Sequence, residues 1–433
     1  MGRVKIIPVG SDGRIPPVSE RALLIGVWWP REPELQVRDY LDELALLART
    51  AGAEIVDIEI AKRKAADPST LLGRGKVEEL GQRIEGENIE LVIFDEDLSP
   101  AQARNLEQSW QCRIVDRSGL ILDIFARRAR TREASTQVEL AQLQYLLPRL
   151  TGAWRHLERQ RGGIGLRGPG ETQLETDRRL VRKRIQFLQH ELEHIERTRK
   201  TRTAKRDDYF RVALVGYTNV GKSTLMNALT QAGVYEEDLL FATLDSTTRA
   251  LNLTPKVAIL LTDTVGFIRK LPPQLVASFR STLGEVVEAD CLLHLIDVSH
   301  PAYPEQMETV TRILDDLGLH DTPQILVFNK VDAIDDDEVL QTAKARYPDA
   351  EFVSAKRHIR LGGLIEKLRD MATADYWEGT FSIGPDEGHL LAEIHRRGEI
   401  LSQRAYGKKL RLRVRMRETY ARRLRSQLGL KQP

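Results

Sequence analysis

The chain has 433 residues, of which 41% are hydrophobic and 30% charged, and its formal net charge is +2. This length exceeds one ordinary hydrophobic core, so we expect several domains, and the composition excludes a disordered or collagen-like chain. No apolar run is long enough to cross a bilayer, and residues 1–10 lack the apolar core of a signal peptide. We therefore expect a cytoplasmic protein, and we take it to be a monomer.

Residues 1–125 predict an N-terminal α/β domain, because short apolar runs alternate with amphipathic stretches as in a parallel sheet with crossover helices. Ser99 and Pro100 suit the N-cap and first residue of one helix. A docking or structural role is the first interpretation of this domain. Alternatively, Gly73 and Gly75 could place backbone amides near a phosphate. The predicted strands are 23–28, 53–60, 91–94 and 113–115, and the predicted helices are 37–51, 75–84 and the stretches after 99 and 117.

Residues 126–207 predict a basic helical hairpin. Helical patterns over about 136–160 and 175–202 flank a glycine-rich segment at 161–175. Glycine lets the backbone approach another surface closely, and Arg161 and Arg167 could pair with phosphates. The segment is therefore a contact tip or a plain linker, and both interpretations stay open.

The charge is unevenly distributed along the chain. Residues 126–206 carry 20 basic and 9 acidic residues, residues 404–433 carry 11 basic residues and one acidic residue, and the remainder has a net charge of −19. Two basic blocks on an otherwise acidic chain indicate a polyanionic partner such as nucleic acid. Solvated helix faces are the alternative explanation.

Residues 373–433 predict a small basic α+β domain. Between residues 408 and 417, basic and apolar residues alternate with a period of two. A strand there could line one face with cations and bury the other face, which holds Leu410, Leu412, Val414 and Met416. The alternative is a solvated edge strand whose charges prevent aggregation.

Residues 208–372 predict the domain that carries the chemistry. A strand at 211–215 runs into a Gly-x4-Gly-Lys-Ser loop and then a helix at 224–230, which is the context that a phosphate-binding loop requires. Its amides can wrap a polyphosphate at a helix N-terminus, the lysine can reach the β- and γ-phosphates, and the serine can ligate magnesium. The loop is Gly216, Tyr217, Thr218, Asn219, Val220, Gly221, Lys222 and Ser223.

Three further motifs follow, each at the carboxyl end of a predicted strand. Asp263-Thr264-Val265-Gly266 can hold magnesium through water and meet a γ-phosphate with the last amide. Asn329-Lys330-Val331-Asp332 offers a carboxylate that accepts hydrogen bonds from the guanine N1 and 2-amino groups, so it favours GTP over ATP. Ser354-Ala355-Lys356 can read the guanine O6 through a backbone amide. Together the motifs predict a P-loop GTPase.

These motifs resemble those of translation-factor-related small GTPases over residues 208–372. The stretches from Phe241 to Asp245, Asp263 to Ile268 and Gly162 to Arg179 resemble the HflX family, and the similarity in element order spans most of the chain. The resemblance implies that Phe241, Ala242 and Thr243 belong to the first switch, with Thr243 sensing the γ-phosphate and Thr247 or Thr248 as alternatives. Ser246 departs from the proline expected there, which bears on local switch geometry.

The predicted fold class is therefore multidomain α/β, with a doubly wound P-loop GTPase sheet, and the predicted ligands are GTP or GDP with Mg²⁺. We expect Lys222, Thr243 and Gly266 to act in catalysis, and Ser223, Thr243 and Asp263 to bind the metal. The predicted nucleotide-binding set is Gly216, Tyr217, Thr218, Asn219, Val220, Gly221, Lys222, Ser223, Thr224, Phe241, Ala242, Thr243, Asp263, Thr264, Val265, Gly266, Asn329, Lys330, Asp332, Ser354, Ala355 and Lys356.

Hydrolysis by the chain alone is expected to be slow. Phe267 occupies the position that holds a water-orienting glutamine in many GTPases, and it cannot hydrogen-bond a water. Arg249 and Arg269 lie in or near the switches and are candidates for a catalytic arginine, although arginines there are more often solvated.

The resemblance also implies a partner, because HflX-type proteins bind the large (50S) ribosomal subunit and members of the family split 70S ribosomes, notably under stress. Contacts with ribosomal RNA would then use the basic blocks. Two alternatives stay open: an assembly or rRNA-remodelling factor whose nucleotide regulates affinity, and remodelling powered by a secondary ATPase activity.

Overall fold

The computed structural model describes residues 20–30, 32–151, 169–203, 209–230, 241, 246–272, 275, 284–334 and 336–428. The chain divides into two compact units. The first comprises Met1–Thr201, Glu237–Asp245 and Val265–Gly284, and the second comprises Arg202–Glu236, Ser246–Thr264 and Glu285–Pro433.

The first unit contains a four-stranded parallel sheet with helices on both faces. Its strands are β1 (Arg21–Trp28), β2 (Glu54–Lys62), β3 (Leu91–Phe94) and β4 (Arg113–Asp116), and its first four helices are α1 (Glu34–Thr50), α2 (Arg74–Gly86), α3 (Pro100–Trp110) and α4 (Arg117–Arg128). The strand order is β2-β1-β3-β4. β1 is buried over nearly its whole length, because helices cover both faces of a parallel sheet.

One glycine in β1 allows a close approach of α1 to the sheet. A Cβ atom at Gly26 would come within 2.8 Å of the Leu41 side chain on α1. On the opposite side, α2 and α3 pack Leu80 and Trp110 into a cluster with Phe94. Ser99 caps α3 through a reciprocal capping box with Gln102 and is followed by Pro100, as predicted.

A pair of helices follows, α5 (Arg132–Leu146) and α6 (Pro169–Thr203). Ion pairs between Arg132 and Glu191 and between Arg184 and Glu139 show that the two helices run antiparallel. The prediction that the first helix extends to residue 160 was wrong: α5 ends at Leu146, and a 3-10 turn follows at Arg149–Thr151. Pro148 explains this end, because its ring has no N–H and clashes with the preceding helical turn. The predicted glycine-rich tip over residues 161–168 lies outside the described residues.

The second unit contains a six-stranded sheet. Its strands are β5 (Phe210–Gly216), β6 (Thr247–Thr254), β7 (Val257–Asp263), β8 (Cys291–Asp297), β9 (Gln324–Asn329) and β10 (Glu351–Phe352), and the helices in this part of the chain are α7 (Lys222–Thr230), α8 (Gly284–Val287), α9 (Tyr303–Asp316), α10 (Asp337–Arg346) and α11 (Leu361–Ala372). The order is β10-β9-β8-β5-β7-β6, parallel except for the edge strand β6. The sequence did not predict β6, which buries only Leu251 fully and otherwise reads as polar.

A three-stranded antiparallel sheet completes the second unit. It consists of β11 (Tyr376–Ile383), β12 (Glu399–Tyr406) and β13 (Lys409–Arg417) in the order β11-β13-β12, with α12 (Gly388–Arg397) and α13 (Glu418–Gln427) packed on one face. Leu412, Val414 and Met416 are fully buried, which confirms the predicted apolar face of this strand, and Leu410 is half-buried. No helix among the described residues is long and apolar enough to cross a membrane.

Candidate nucleotide-binding site

The candidate site lies at the carboxyl ends of the strands of the six-stranded sheet. The loops after β5, β7, β9 and β10 carry the motifs found in the sequence. In open α/β sheets, ligands bind at this edge, because crossover connections leave a crevice there.

The phosphate loop is shaped by close backbone contacts. A Cβ atom at Gly216 would lie 2.4 Å from the carbonyl oxygen of Leu295 on β8, so only glycine lets β5 leave the sheet here. Asn219 and Gly221 adopt left-handed backbone conformations, with φ of 59° and 92°. The loop then enters α7 at Lys222, which brings the free amides of a helix N-terminus to the phosphate position.

Lys222 folds back over the loop instead of extending into solvent. Its buried ammonium group donates hydrogen bonds to the carbonyl oxygens of Tyr217, at 2.8 Å, and Gly216, at 3.3 Å. Burial lowers the pKa of Lys222 to about 8, against the opposing effect of the Asp263 carboxylate. The side chain is thus a desolvated donor poised beside the amides that would hold a polyphosphate.

Two of the three residues expected to hold magnesium, Ser223 and Asp263, fit that ion. The Ser223 hydroxyl donates to Asp263 Oδ2 at 2.6 Å, and Asp263 is fully buried. Hydroxyl and carboxylate oxygens are hard donors of the kind Mg²⁺ prefers. The described residues contain no cluster of three or more His, Cys, Asp or Glu that could hold a metal ion. A magnesium site needs none, because phosphates and waters supply its other ligands. Thr264 fixes the end of β7 by donating to the carbonyl of Leu214 at 2.6 Å.

Asn329 ties the phosphate loop to the base-reading loops. Its buried side-chain amide donates to the carbonyl of Val220 at 2.8 Å, and its side-chain oxygen accepts from the amide of Ala355 at 2.9 Å. A Cβ atom at Gly221 would lie 2.5 Å from Asn329 Nδ2, so this position also requires glycine. One side chain therefore sets the spacing of three loops that are far apart in sequence.

The residues expected to bind the guanine base make ion pairs and hydrogen bonds with neighbouring side chains and backbone. Lys330 adopts a left-handed conformation, φ 63°, and its ammonium pairs with Asp297 Oδ2 at 2.7 Å. The carboxylate of Asp332 lies 3.7 Å from Arg357 Nε. The Ser354 hydroxyl accepts from the amide of Arg357 at 3.0 Å. Ser354 and Ala355 are buried, whereas Lys356 is exposed.

The remaining predicted site residues are placed as follows. Thr224 lies in the first turn of α7. Val265 and Gly266 open the segment that belongs to the first unit. Phe241 is buried against Phe125 of α4, with ring centroids 4.5 Å apart. Ala242 and Thr243 lie outside the described residues.

The sequence interpretation missed an ionic cluster in the first unit. Asp95, at the end of β3, accepts from Arg117 at 2.7 Å and from Arg269 at 2.9 Å, and Lys270 lies 3.4 Å away. Burial would raise the pKa of Asp95, but the three cations outweigh it and hold the pKa at about 2. The Arg269 guanidinium also stacks 3.4 Å from the ring centroid of Tyr40. This candidate for a catalytic arginine is therefore engaged by the N-terminal domain in this conformation.

His294 was also missed, although a histidine inside the apolar run of β8 is a visible signal. It is 2% exposed, and burial together with the nearby charge of Lys222 lowers its pKa to about 4. His294 is therefore neutral at physiological pH and contributes shape and polarity, not charge, beneath the phosphate loop.

Comparison with known proteins gives three matching family models in chain order. "GTP-binding GTPase N-terminal" matches residues 38–126, "GTP-binding GTPase Middle Region" matches 128–206, and "50S ribosome-binding GTPase" matches 211–330. GTPase HflX of Flavobacterium psychrophilum is 49% identical over 76% of this chain and 80% of the relative. The chain belongs to the HflX family of GTPases. GTPase HflX of Escherichia coli K12 is 43% identical over 87% of this chain and 88% of the relative.

Membership of the HflX family confirms the predicted GTPase assignment and the α/β fold class with a P-loop GTPase domain. Among solved structures, a GTP-binding protein from Sulfolobus solfataricus in complex with GDP is similar with a TM-score of 0.43 and 26% identity. That match covers 82% of this chain and 99% of the other. The roles of the individual site residues stay predictions from their geometry.

Proposed function

We propose that this HflX-family protein is a magnesium-dependent GTP switch that binds the large ribosomal subunit and dissociates 70S ribosomes. The observation that carries the nucleotide part of the proposal is Asn329, which joins the phosphate loop to the base-reading loops through Val220 and Ala355. Because these loops are fixed relative to one another, they can bind the base and the phosphates of the same nucleotide.

Guanine selectivity is assigned to Asp332. A carboxylate satisfies the two donors of guanine, and adenine would leave it facing a mismatched edge. The amide of Ala355 donates to the side-chain oxygen of Asn329 at 2.9 Å, so the base meets a loop that is fixed in advance. A secondary ATPase activity stays a prediction, and this site does not favour it.

Hydrolysis is assigned to positioning and charge neutralisation, which dominate phosphoryl transfer. Lys222 and the loop amides would bind the phosphates, and Mg²⁺ held by Ser223 and Asp263 would offset their negative charge. Phe267 is 2% exposed and has no group that could orient a water. Turnover by the protein alone should therefore be slow and should depend on a partner.

The segment after Gly266 is bound to the N-terminal sheet within the first unit. Arg269 and Lys270 bind Asp95 at the end of β3, so a rearrangement of this segment on γ-phosphate loss would act on the N-terminal sheet. Thr243 would report on the γ-phosphate from the first switch, as the resemblance implies. The partner is supported by the match to a family model described as a 50S ribosome-binding GTPase and by the two basic blocks of the sequence.

The test is GTP turnover by the whole protein, alone and with purified 70S ribosomes, mature large subunits or immature large subunits. Strong stimulation by 70S ribosomes or mature subunits supports the proposal. Stimulation only by immature subunits would favour the assembly-factor alternative. Turnover of ATP as fast as GTP would contradict the assignment of Asp332.

A further inference from the structure

The C-terminal sheet has one covered face and one open face. Its covered face packs Leu412, Val414 and Met416 against α12 and α13. The residues between them on β13 point the other way, and Lys409, Arg411, Arg413 and Arg415 are exposed. The open face is thus lined by cations because the strand alternates with a strict period of two.

Strand pairing gathers further charges onto this face. Arg404 on β12 lies directly opposite Arg411, and Glu399 lies opposite Arg415. Glu378 on β11 pairs with Arg413 at 2.5 Å, but both side chains are well exposed, so this ion pair contributes little. We name the six basic residues of the open face the cationic face: Arg404, Lys409, Arg411, Arg413, Arg415 and Arg417.

This arrangement is costly for an isolated sheet. Like charges directly opposite each other, as at Arg404 and Arg411, destabilise a strand pair. The open face carries two acidic residues, Glu378 and Glu399, and six basic residues, so its net charge is positive. Alternate residues along a strand are about 6.8 Å apart, so the row from Lys409 to Arg417 extends for roughly 27 Å. A long, straight row of this kind complements an extended polyanion better than a compact anion.

The side chains between the basic residues indicate which kind of polyanion this face would bind. Residues 376–417 are all described, and at the centre of the open face they place Thr380, Ser382 and Ser402 beside the arginines. The aromatic residues of this face, Tyr376 and Tyr406, lie at its two ends, opposite Arg417 and Lys409. Proteins that hold single strands stack bases on aromatic side chains, and the centre of this face offers none. Short hydroxyl side chains and arginines instead suit the phosphates and 2′-hydroxyls of an RNA double helix.

We propose that the cationic face is a binding surface for the phosphate backbone of double-stranded RNA, without sequence selectivity. The surface lies apart from the phosphate loop in sequence and chemistry, and RNA binding here does not require a nucleotide. Its test is therefore separable from that of the proposed ribosome switch.

The experiment measures binding of the full chain, with GDP present, to a labelled 20-base-pair RNA duplex by fluorescence anisotropy over a series of salt concentrations. In the face variant, Arg411, Arg413 and Arg415 are each changed to Gln. The control variant changes Arg396, Arg422 and Arg423 to Gln; these are exposed on α12 and α13, on the covered side, and give the same change in net charge. A third variant changes the three face arginines to Lys.

The face variant should lose at least tenfold in duplex affinity, and its slope of log affinity against log salt should fall by about two to three, since each phosphate contact contributes nearly one. The control variant should change less than threefold with its slope unchanged, and the lysine variant should retain most of the affinity. GTP affinity should be the same in all four proteins, which shows that the nucleotide-binding part of the second unit is folded.

Equal losses in the face and control variants would overturn the proposal, because binding would then follow net charge alone. It would also be overturned if the face variant lost affinity only for the single-stranded form of the same RNA, or only for polyglutamate. A duplex of shuffled sequence should bind equally well, and a strong preference between the two duplexes would contradict backbone recognition.

Discussion

Asp332 is the residue on which we expect nucleotide choice to depend. Changing Asp332 to Asn replaces an acceptor with a donor opposite the guanine 2-amino group. GTP affinity should fall by about two orders of magnitude or more, and xanthosine triphosphate, which presents an oxygen at that position, should bind better than GTP. Competition binding measures both. The matched control is Asp337→Asn in the first turn of α10, which should leave both affinities unchanged.

A second prediction for a single residue concerns Asp95 and the stability of the protein. Its pKa is about 2 in the folded protein, below the ordinary value of 3.8, so its stabilising effect is present above about pH 4 and is lost as the pH falls through 2. Asp95→Asn leaves the fully buried Arg117 without this charge partner and should lower the free energy of unfolding by about 3 kcal/mol at pH 7. The difference from the unchanged protein should shrink towards pH 2.

Urea unfolding followed by tryptophan fluorescence at pH 7, 4 and 3 would measure this effect. Asp42→Asn, an exposed position on α1, serves as the control and should change the free energy of unfolding by less than about 0.5 kcal/mol. A pH-independent difference for Asp95→Asn would contradict the ionic role given to this carboxylate.

At the scale of elements, α3 shows how local sequence sets a boundary. The Ser99 side chain accepts from the Gln102 amide at 3.2 Å, and the Gln102 side chain accepts from the Ser99 amide at 2.9 Å. Ser99→Ala should therefore destabilise the first unit by about 1 kcal/mol. Ser109→Ala, near the end of the same helix, removes no cap and should be close to neutral. Thermal unfolding of the two variants compares them, and equal shifts would show that the cap does not matter.

The same elements show what could be predicted from the sequence. The capped helix α3 and the alternating strand β13 were predicted because their signals are local. The end of α5 and the edge strand β6 were not, because a proline competed with a continuing helical pattern and β6 is stabilised by pairing with β7 instead of by its own apolar residues. Within the site, the phosphate loop could be read directly. The roles of Asn329, His294 and Asp95 could not, because each depends on contacts between segments distant in sequence.

The glycine-rich tip of the helical hairpin carries a further prediction at this scale. Removal of residues 161–170, which lie mostly outside the described residues, should abolish stimulation of GTP turnover by ribosomes while GTP affinity stays within about twofold. This loss is expected if these residues form a contact tip, with Arg161 and Arg167 pairing with phosphates. Full stimulation after the removal would show that the segment is a linker.

At the scale of the whole molecule, the second unit carries the candidate phosphate and base site, and basic residues are concentrated in two blocks of the chain. The hairpin block and the C-terminal block carry the positive charge, while the remainder of the chain is acidic. This polarity favours association with a large polyanion over nonspecific self-association. It also predicts that ribosome binding weakens steeply with salt, whereas GTP binding at the buried site does not.

The most direct measurement is light scattering of purified 70S ribosomes mixed with the whole protein and either GTP, a non-hydrolysable GTP analogue or GDP. We expect a drop in scattering, as subunits separate, with GTP and with the analogue, and none with GDP or with Lys222→Ala. An equal drop in all conditions, or none in any, would contradict the claim that a guanine nucleotide switches this protein on the ribosome.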